Sequence, residues 1–185
     1  MTFKTVELRA QLIEQTKANI NKVETFRTRP LEELNFKITH DKWSVLECIE
    51  HLNLYSHFYN PEIKNCIETK HSKSNTLFVS GLIGNYFVKT MLPKKKLNNM
   101  KTFKDKDPSG SNLDTKVLDK FICQQKELIE LIENSKNCNL TKTKTAISIS
   151  KFIKIRLGDT FRFIIAHNER HIIQAQNTLQ LLNNK

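Results

Sequence analysis

Apolar residues recur every three or four positions along four long stretches of this chain, which is the spacing of helices with one buried face. The pattern predicts a first helix over about Thr2–Phe26 and a second that is capped at Ser44. A third helix is expected over about Leu113–Asn134 and a last one over about Leu157–Leu182. Four long helices of this kind predict an all-α fold, a four-helix bundle.

The second helix has the clearest start in the sequence. Ser44 and Glu47 have the spacing of a capping box, in which each side chain bonds the backbone N–H of the other residue. Pro61 lies inside the same helical pattern and has no backbone N–H to donate. The helix is therefore expected either to kink at Pro61 or to stop at Asn60 and restart.

The segments between the long helices carry weaker patterns. Phe78–Met91 is apolar but contains Gly81 and Gly84, so it is expected to be a short helical or irregular segment. Lys89–Asp107 mixes lysines with Pro, Asn and Asp and is interpreted as a solvated basic loop. Residues 141–156 are rich in β-branched side chains, which allow a short strand, although an extended connector is favoured. Extra short helical segments are thus expected in the long connectors.

Length and composition narrow the class of protein. A chain of 185 residues suits a single domain, residues 1–185, with a sizeable core. The N-terminus is charged from its start, and the most apolar stretch, Leu77–Val88, covers only about half of a membrane span. We expect a soluble, cytoplasmic protein that does not use a membrane.

The four cysteines, Cys48, Cys66, Cys123 and Cys138, are scattered without C-x-x-C spacing. This spacing argues against both a disulfide framework and a zinc ribbon. Reduced thiols that fill small buried spaces are the favoured interpretation, and a catalytic thiol is the alternative.

The net charge of +11 raises the question of nucleic-acid binding. The lysines are spread over the whole chain, and the densest run, Lys89–Asp107, has Phe103 as its only aromatic residue. Neither a helix-turn-helix nor an RNA-binding signature surrounds it. Binding of DNA or RNA is therefore the disfavoured alternative.

Two histidines, His167 and His171, lie four residues apart, so a helix places both imidazoles on one face. His171 falls on the apolar stripe of the last helix and His167 near its edge, whereas Glu169 and Arg170 are expected to project elsewhere. A buried imidazole needs a hydrogen-bond partner or a metal. The spacing leaves open whether the pair binds metal or is bonded to backbone or water. It is not the metalloprotease motif H-E-x-x-H, because Asn168 follows His167.

A third metal ligand has to come from another helix, and His51 is the best placed of the other histidines. It lies two turns into the second helix, at the margin of an apolar face. Glu47 lies one turn earlier, where its carboxylate is a candidate for orienting the imidazole or for acting as a base on metal-bound water. The capping box is the alternative role of that carboxylate. His57 is expected on the exposed flank, and His40 and His71 in connectors.

Two motifs carry a resemblance to a known family: W-S-x-x-E-x-x-x-H-L at Trp43–Leu52 and H-N-x-R-H-x-x-Q-A at His167–Ala175. Together they resemble the DinB superfamily, and more closely its YfiT-related branch of metal-dependent proteins. The resemblance implies an up-down-down-up four-helix bundle. It also implies that His51, His167 and His171 bind a divalent metal, most commonly nickel or zinc.

The resemblance implies a class of chemistry as well. Similar proteins include S-transferases and isomerases that act with low-molecular-weight thiols, and many members are induced by stress. By this likeness the protein is a metal-dependent enzyme that activates either a thiol cosubstrate or, as a hydrolase, a water molecule. Its partner would be a small-molecule substrate, and a homodimer is possible. The alternative is a non-catalytic stress-response or binding module with packed histidines.

Overall fold

A computed structural model describes residues 1–69, 72–92 and 102–183 of the chain. Long and short helices make up most of it, which confirms the all-α prediction. In chain order they are α1 (Thr5–Glu24), α2 (Leu31–Leu34), α3 (Val45–Thr69), α4 (Leu82–Met91), α5 (Lys116–Asn134) and α6 (Leu157–Asn183). Short 3₁₀ turns lie between these helices, at Thr25–Thr28, Lys104–Lys106 and Ser135–Asn137.

The structure contains two short antiparallel strand pairs among the described residues, in segments where helix or connector is predicted. The strands are β1 (Thr2–Lys4), β2 (Leu77–Val79), β3 (Lys144–Ile147) and β4 (Ser150–Arg156). The first helix begins at Thr5 rather than Thr2, because β1 pairs with β2. The extended connector favoured for residues 141–156 is wrong: β3 and β4 form a hairpin with a register shift at Ala146 and Ile147.

The second long helix, α3, is continuous through Pro61, so the predicted alternative of a stop at Asn60 is wrong. Proline deprives the carbonyl four residues earlier, that of His57, of its helical partner. Both Pro61 and His57 are exposed, so water can satisfy this carbonyl. The exposed position predicted for His57 is confirmed.

The four long helices form the bundle, in which α1 and α3 each pack against both α5 and α6. Contacts between helices give their directions: residue numbers rise together between α1 and α6 and between α3 and α5, and run oppositely between α3 and α6. The contacts Asn19–Ile165 and Lys22–Glu169 join α1 to α6. The contacts Asn53–Val117 and Asn60–Gln124 join α3 to α5. The contacts Tyr59–Phe163 and His51–His171 join α3 to α6. The predicted up-down-down-up order requires this set of directions.

The core consists of two apolar clusters with a layer of buried polar residues between them. On α6, for example, one cluster includes Ile165 and the other begins at Ile172. Two hydrogen bonds connect α3, α5 and α6 in this layer: Asn168 Nδ2 donates to Gln125 Oε1 at 2.7 Å, and Gln125 Nε2 donates to Ser56 Oγ at 3.4 Å. Since burying an unpaired polar group is costly, these bonds fix the register of the helices at this level.

The connector between α3 and α5 is held against the start of α6. The carboxylate of Asp159, fully buried, accepts hydrogen bonds from Ser80 Oγ at 2.5 Å and from the backbone N–H of Gly81 at 2.7 Å. Gly84 of α4 lies so close that an added Cβ would be 2.5 Å from the Asp159 Cβ. This close approach lets α4 pack along α6. Of the predicted basic loop Lys89–Asp107, residues 93–101 lie outside the described residues.

Within the described ranges, no helix is both long enough and apolar enough to cross a bilayer.

Because an added Cβ at Gly84 would collide with Asp159, Gly84→Ala should displace α4 from α6. We expect the free energy of unfolding to fall by about 1–3 kcal/mol, because the new methyl group has to push apart two packed elements. Gly81→Ala is the matched control, since its added Cβ would meet the flexible Arg156 side chain at 3.3 Å. Urea unfolding of both variants measures the difference, and equal losses would contradict the close packing of α4 on Asp159.

Candidate metal centre

Three histidines from two antiparallel helices meet in the polar layer. His51 projects from α3, and His167 and His171 project from successive turns of α6. One ligand nitrogen from each lies within 4.8 Å of the other two, and the Nε2 atoms of His51 and His167 are 3.2 Å apart. Two nitrogens bound to one tetrahedral zinc ion lie about 3.3 Å from each other, so this donor set fits a divalent metal.

Hydrogen bonds orient two of the rings so that Nε2 carries the lone pair. Nδ1 of His51 lies 2.7 Å from the carbonyl oxygen of Lys106, which can only accept, so this nitrogen donates. Nδ1 of His171 donates in the same way to Oε1 of Gln174 at 3.0 Å. Metal-binding histidines are commonly held by such a bond at their second nitrogen, and both bonds leave Nε2 free to bind metal.

The surroundings keep all three imidazoles neutral. Burial lowers the pKa of His51 to about 4. Burial also holds the pKa of His167 well below its ordinary value, and it is lowered further by repulsion from the charge of Arg170 and from the charges that His171 and His51 would carry if protonated. The pKa of His171 is lowered well below the usual range, again mainly by burial. The neutral imidazole is the form that binds metal, so protons compete weakly with a metal here at neutral pH.

The segment that follows residue 101 supplies an outer layer of this centre. Lys106 contributes its backbone carbonyl to His51, as described above. Ser109 accepts a hydrogen bond from Nε1 of Trp43 at 2.9 Å and donates to Asp107 at 2.6 Å. The Trp43 ring in turn lies against His51, with 4.7 Å between centroids. This turn and the tryptophan together cover one side of the three histidines.

Glu47 lies in the capping box that the sequence predicts. The backbone N–H of Ser44 donates to its Oε2 at 2.9 Å, and the N–H of Glu47 donates to Ser44 Oγ at 3.2 Å. The other oxygen, Oε1, accepts from Lys37 Nζ at 2.6 Å and from the backbone N–H of Gly110 at 3.0 Å. Glu47 thus holds the turn that carries Lys106, and its role as a catalytic base stays a prediction.

A cavity of about 1040 Å³ opens beside the three histidines. Aromatic rings form one wall of the cavity. The ring centroids of Phe87 and Phe163 are 6.3 Å apart, and the Phe163 ring stacks on that of His167 with 5.8 Å between centroids. Four residues of α4 line the cavity: Tyr86, Phe87, Thr90 and Met91. Residues of the β3–β4 hairpin line it as well, namely Ile147, Ser148, Ile149 and Ile155.

The prediction that Arg170 projects away from the site is wrong. Its side chain is only 4% exposed and lines the same cavity as His167 and His171. The signal was present in the spacing, since a residue three positions after His167 is its neighbour on the helix surface. Glu169 does project elsewhere, and its carboxylate lies 3.7 Å from Lys22.

The remaining candidates lie apart from the centre. His40 and His57 are exposed, and His71 is outside the described residues. Of the four cysteines, Cys123 is exposed, and Cys48, Cys66 and Cys138 are buried. Burial raises the pKa of the Cys48 thiol, which keeps it protonated and disfavours a nucleophilic role.

Fold and site together define a helical-bundle protein with a three-histidine group that could hold a metal ion. The chain belongs to the DinB superfamily, whose family model matches residues 12–175. The resemblance seen in the two motifs is thereby confirmed over most of the chain. No curated protein and no solved structure matches it.

Substitution of the histidines tests the centre directly. We expect His171→Ala to lose stoichiometric divalent metal, because two imidazoles remain where three converge, whereas His57→Ala on the exposed side of α3 should keep it. Elemental mass spectrometry of untagged protein measures the content. The sole tryptophan, Trp43, lies 5.7 Å from His171 between ring centroids, so its fluorescence should be quenched by Ni²⁺ in wild type and His57→Ala alone. Equal metal in all three proteins would refute the assignment.

Glu47→Gln tests whether Glu47 supports the centre through the turn at Lys106. Loss of the charge weakens the bonds from Gly110 and Lys37, so amide hydrogen exchange should rise over residues 104–110 and metal affinity should fall about tenfold. Ser44→Ala is the matched control, since it removes only one half of the capping box. If Ser44→Ala weakens metal binding equally, helix capping explains the whole effect.

Proposed function

We propose that the protein is a metal-dependent enzyme in which His51, His167 and His171 hold a divalent metal, Zn²⁺ or Ni²⁺. The observation that carries this proposal is the convergence of three neutral imidazoles beside an open cavity of about 1040 Å³. Three protein ligands suit a catalytic centre, which keeps a position for substrate, better than a structural one, which has four.

A divalent metal bound there would lower the pKa of a coordinated thiol or water and so supply a nucleophile at neutral pH. Side chains around the three histidines would bind and orient the substrates. Tyr55 packs against His51 and His167, with ring centroids 4.9 and 4.6 Å apart. Burial raises the pKa of its hydroxyl to about 12, so Tyr55 acts as a hydrogen-bond donor at neutral pH.

Of the two nucleophiles, we propose a thiol, which makes the protein an S-transferase-like enzyme. A metal hydrolase generally needs a nearby base, yet the carboxylates among the described cavity residues, Asp41 and Asp107, are exposed. The oxygens of Glu47 already accept the bonds from Ser44, Lys37 and Gly110. The cavity of about 1040 Å³ lies at the upper end of the roughly 300–1,000 Å³ typical of ligand pockets, a size compatible with a small thiol and an electrophile.

The partner proposed here is a small molecule, because the site is a concave cavity with a few convergent polar groups. Nucleic acid is the disfavoured alternative, and binding that weakens with salt would be its signature. The homodimer that the resemblance implies stays a prediction.

The test is conjugation of a fluorogenic electrophile, monochlorobimane, with a panel of low-molecular-weight thiols that includes glutathione and cysteine. The metal-loaded protein should accelerate conjugation with at least one thiol, and both chelation and His171→Ala should abolish the acceleration. His57→Ala serves as the active control.

Two other results would decide for the alternatives. Hydrolysis of p-nitrophenyl esters that depends on metal, with no thiol conjugation, would make the protein a hydrolase. The protein would be the non-catalytic binding module if it folds but takes up neither Zn²⁺ nor Ni²⁺, and if the midpoint of its thermal unfolding does not change when a chelator is added.

A further inference from the structure

The cavity beside the three histidines has two ends that differ in chemistry. Along α6, Phe163 lies before the histidine pair and Gln174 lies after it, about 16 Å apart on the helix axis. Since α3 runs in the opposite direction, Trp43 just before it lies close to His171, at 5.7 Å between ring centroids. Tyr59 of α3 lies 5.9 Å from the Phe163 ring. Phe163 and Tyr59 thus define one end of the cavity, the Phe163 end, and Trp43 and Gln174 define the other, the Trp43 end.

The Phe163 end is apolar. Phe87 places α4 at this end, since its ring lies 6.3 Å from that of Phe163. The β3–β4 hairpin lies here too, because the backbone N–H of Ser148 donates to the Tyr59 hydroxyl at 3.3 Å. None of the described α4 and hairpin residues that line the cavity is charged, and the Thr90 hydroxyl already donates to the Phe87 carbonyl at 2.7 Å. A ligand at this end therefore meets mainly aromatic and aliphatic side chains.

Part of this apolar wall is exposed to solvent. Tyr86 of α4 is 64% exposed and Ile149 of the hairpin is 48% exposed, although both line the cavity. Covering such surface with an apolar ligand removes it from water and favours binding. The Phe163 ring also stacks on that of His167, so a ligand packed on this wall lies beside the three histidines. Aromatic rings offer faces and edges on which a flat group packs well.

The Trp43 end carries charged and amide side chains. Asp41 and Lys42 directly precede Trp43, line the cavity and pair with each other at 3.5 Å. Gln174 also lines the cavity, and its Oε1 accepts the hydrogen bond from Nδ1 of His171. Low-molecular-weight thiols such as cysteine and glutathione carry amino and carboxylate groups, which are costly to place on an apolar wall. Such a thiol is therefore better accommodated at the Trp43 end than at the Phe163 end.

We propose that the Phe163 end binds the electrophilic substrate, and that this substrate is a neutral molecule with an aromatic or similarly flat apolar body. The polar groups of the thiol lie at the Trp43 end, with the three histidines between the two substrates. This deepens the proposed function, on which it rests for assigning an electrophile and a thiol to the two ends. The binding of a neutral apolar molecule at the Phe163 end does not depend on that function.

The test measures binding of two unreactive neutral probes, 2-naphthamide and benzamide, which differ by one aromatic ring. Isothermal titration calorimetry of the wild-type protein should show at least about fivefold tighter binding of 2-naphthamide, because its second ring buries more apolar surface. In Phe87→Ala this preference should shrink to within about twofold, since part of the apolar wall is lost. Lys42→Met is the matched control at the Trp43 end and should keep the full preference.

The position of the probe is also measured without any variant, so the proposal stays testable if Phe87→Ala does not fold. Nuclear Overhauser effects in the wild-type protein should join the naphthyl protons to the rings of Tyr59 and Phe163. Overhauser effects to the Trp43 indole instead would overturn the proposal. Equal binding of the two probes to wild type would overturn it as well, as would an equal loss of preference in Phe87→Ala and Lys42→Met.

Conjugation of monochlorobimane by the same variants assigns the two substrates. Phe87→Ala should raise the KM for monochlorobimane at least about fivefold and leave the KM for the thiol within about twofold, because only electrophile binding is weakened. The opposite split would overturn the assignment. A protein that binds 2-naphthamide at the Phe163 end but conjugates no thiol would uphold the apolar site and overturn the proposed function. Thiol conjugation without any preference between the two probes would do the reverse.

Discussion

The layer of buried polar residues across the middle of the bundle is the constraint on which the rest of the structure depends. Helices with wholly apolar faces can slide or rotate against one another at modest cost, but a buried amide without its partner loses a hydrogen bond that water no longer replaces. The chain from Ser56 through Gln125 to Asn168 ties α3, α5 and α6 in one register. In that register, His51 faces His167 and His171.

Part of the cavity wall beside the three histidines comes from elements outside the four long helices. The three histidines lie on α3 and α6, which the bonds from Ser56 through Gln125 to Asn168 hold in register. Beside residues of α3 and α6, four residues of α4 and four of the β3–β4 hairpin line the cavity. Asp159 holds the start of α4 through Ser80 and Gly81. Connectors tolerate substitution better than packed helices do, so this part of the cavity wall can change while the three histidines are kept.

The sequence predicted the parts of this molecule that depend on helical periodicity and local capping. The four long helices, the capping box and the grouping of His51 with His167 and His171 all follow from spacing or from the family motifs. The contact of His51 with Lys106 could not be predicted, because a backbone carbonyl carries no residue-specific signal. The hairpin at residues 144–156 was missed because β-branched residues suit strands and extended loops alike. Arg170 was misplaced because an apolar stripe does not reveal a cavity at its edge.

The separation of the ligands along the chain also determines when the centre can form. His51 and His167 are 116 residues apart, and the carbonyl that orients His51 lies 55 residues from it. On a ribosome, α3 is complete long before α6 emerges, so the nascent chain presents His51 alone for most of its synthesis. The three histidines come together only when α6 docks, so a metal held by all three would be bound at the last step of folding. A metal bound by these three histidines would thus stabilise the completed bundle rather than nucleate its folding.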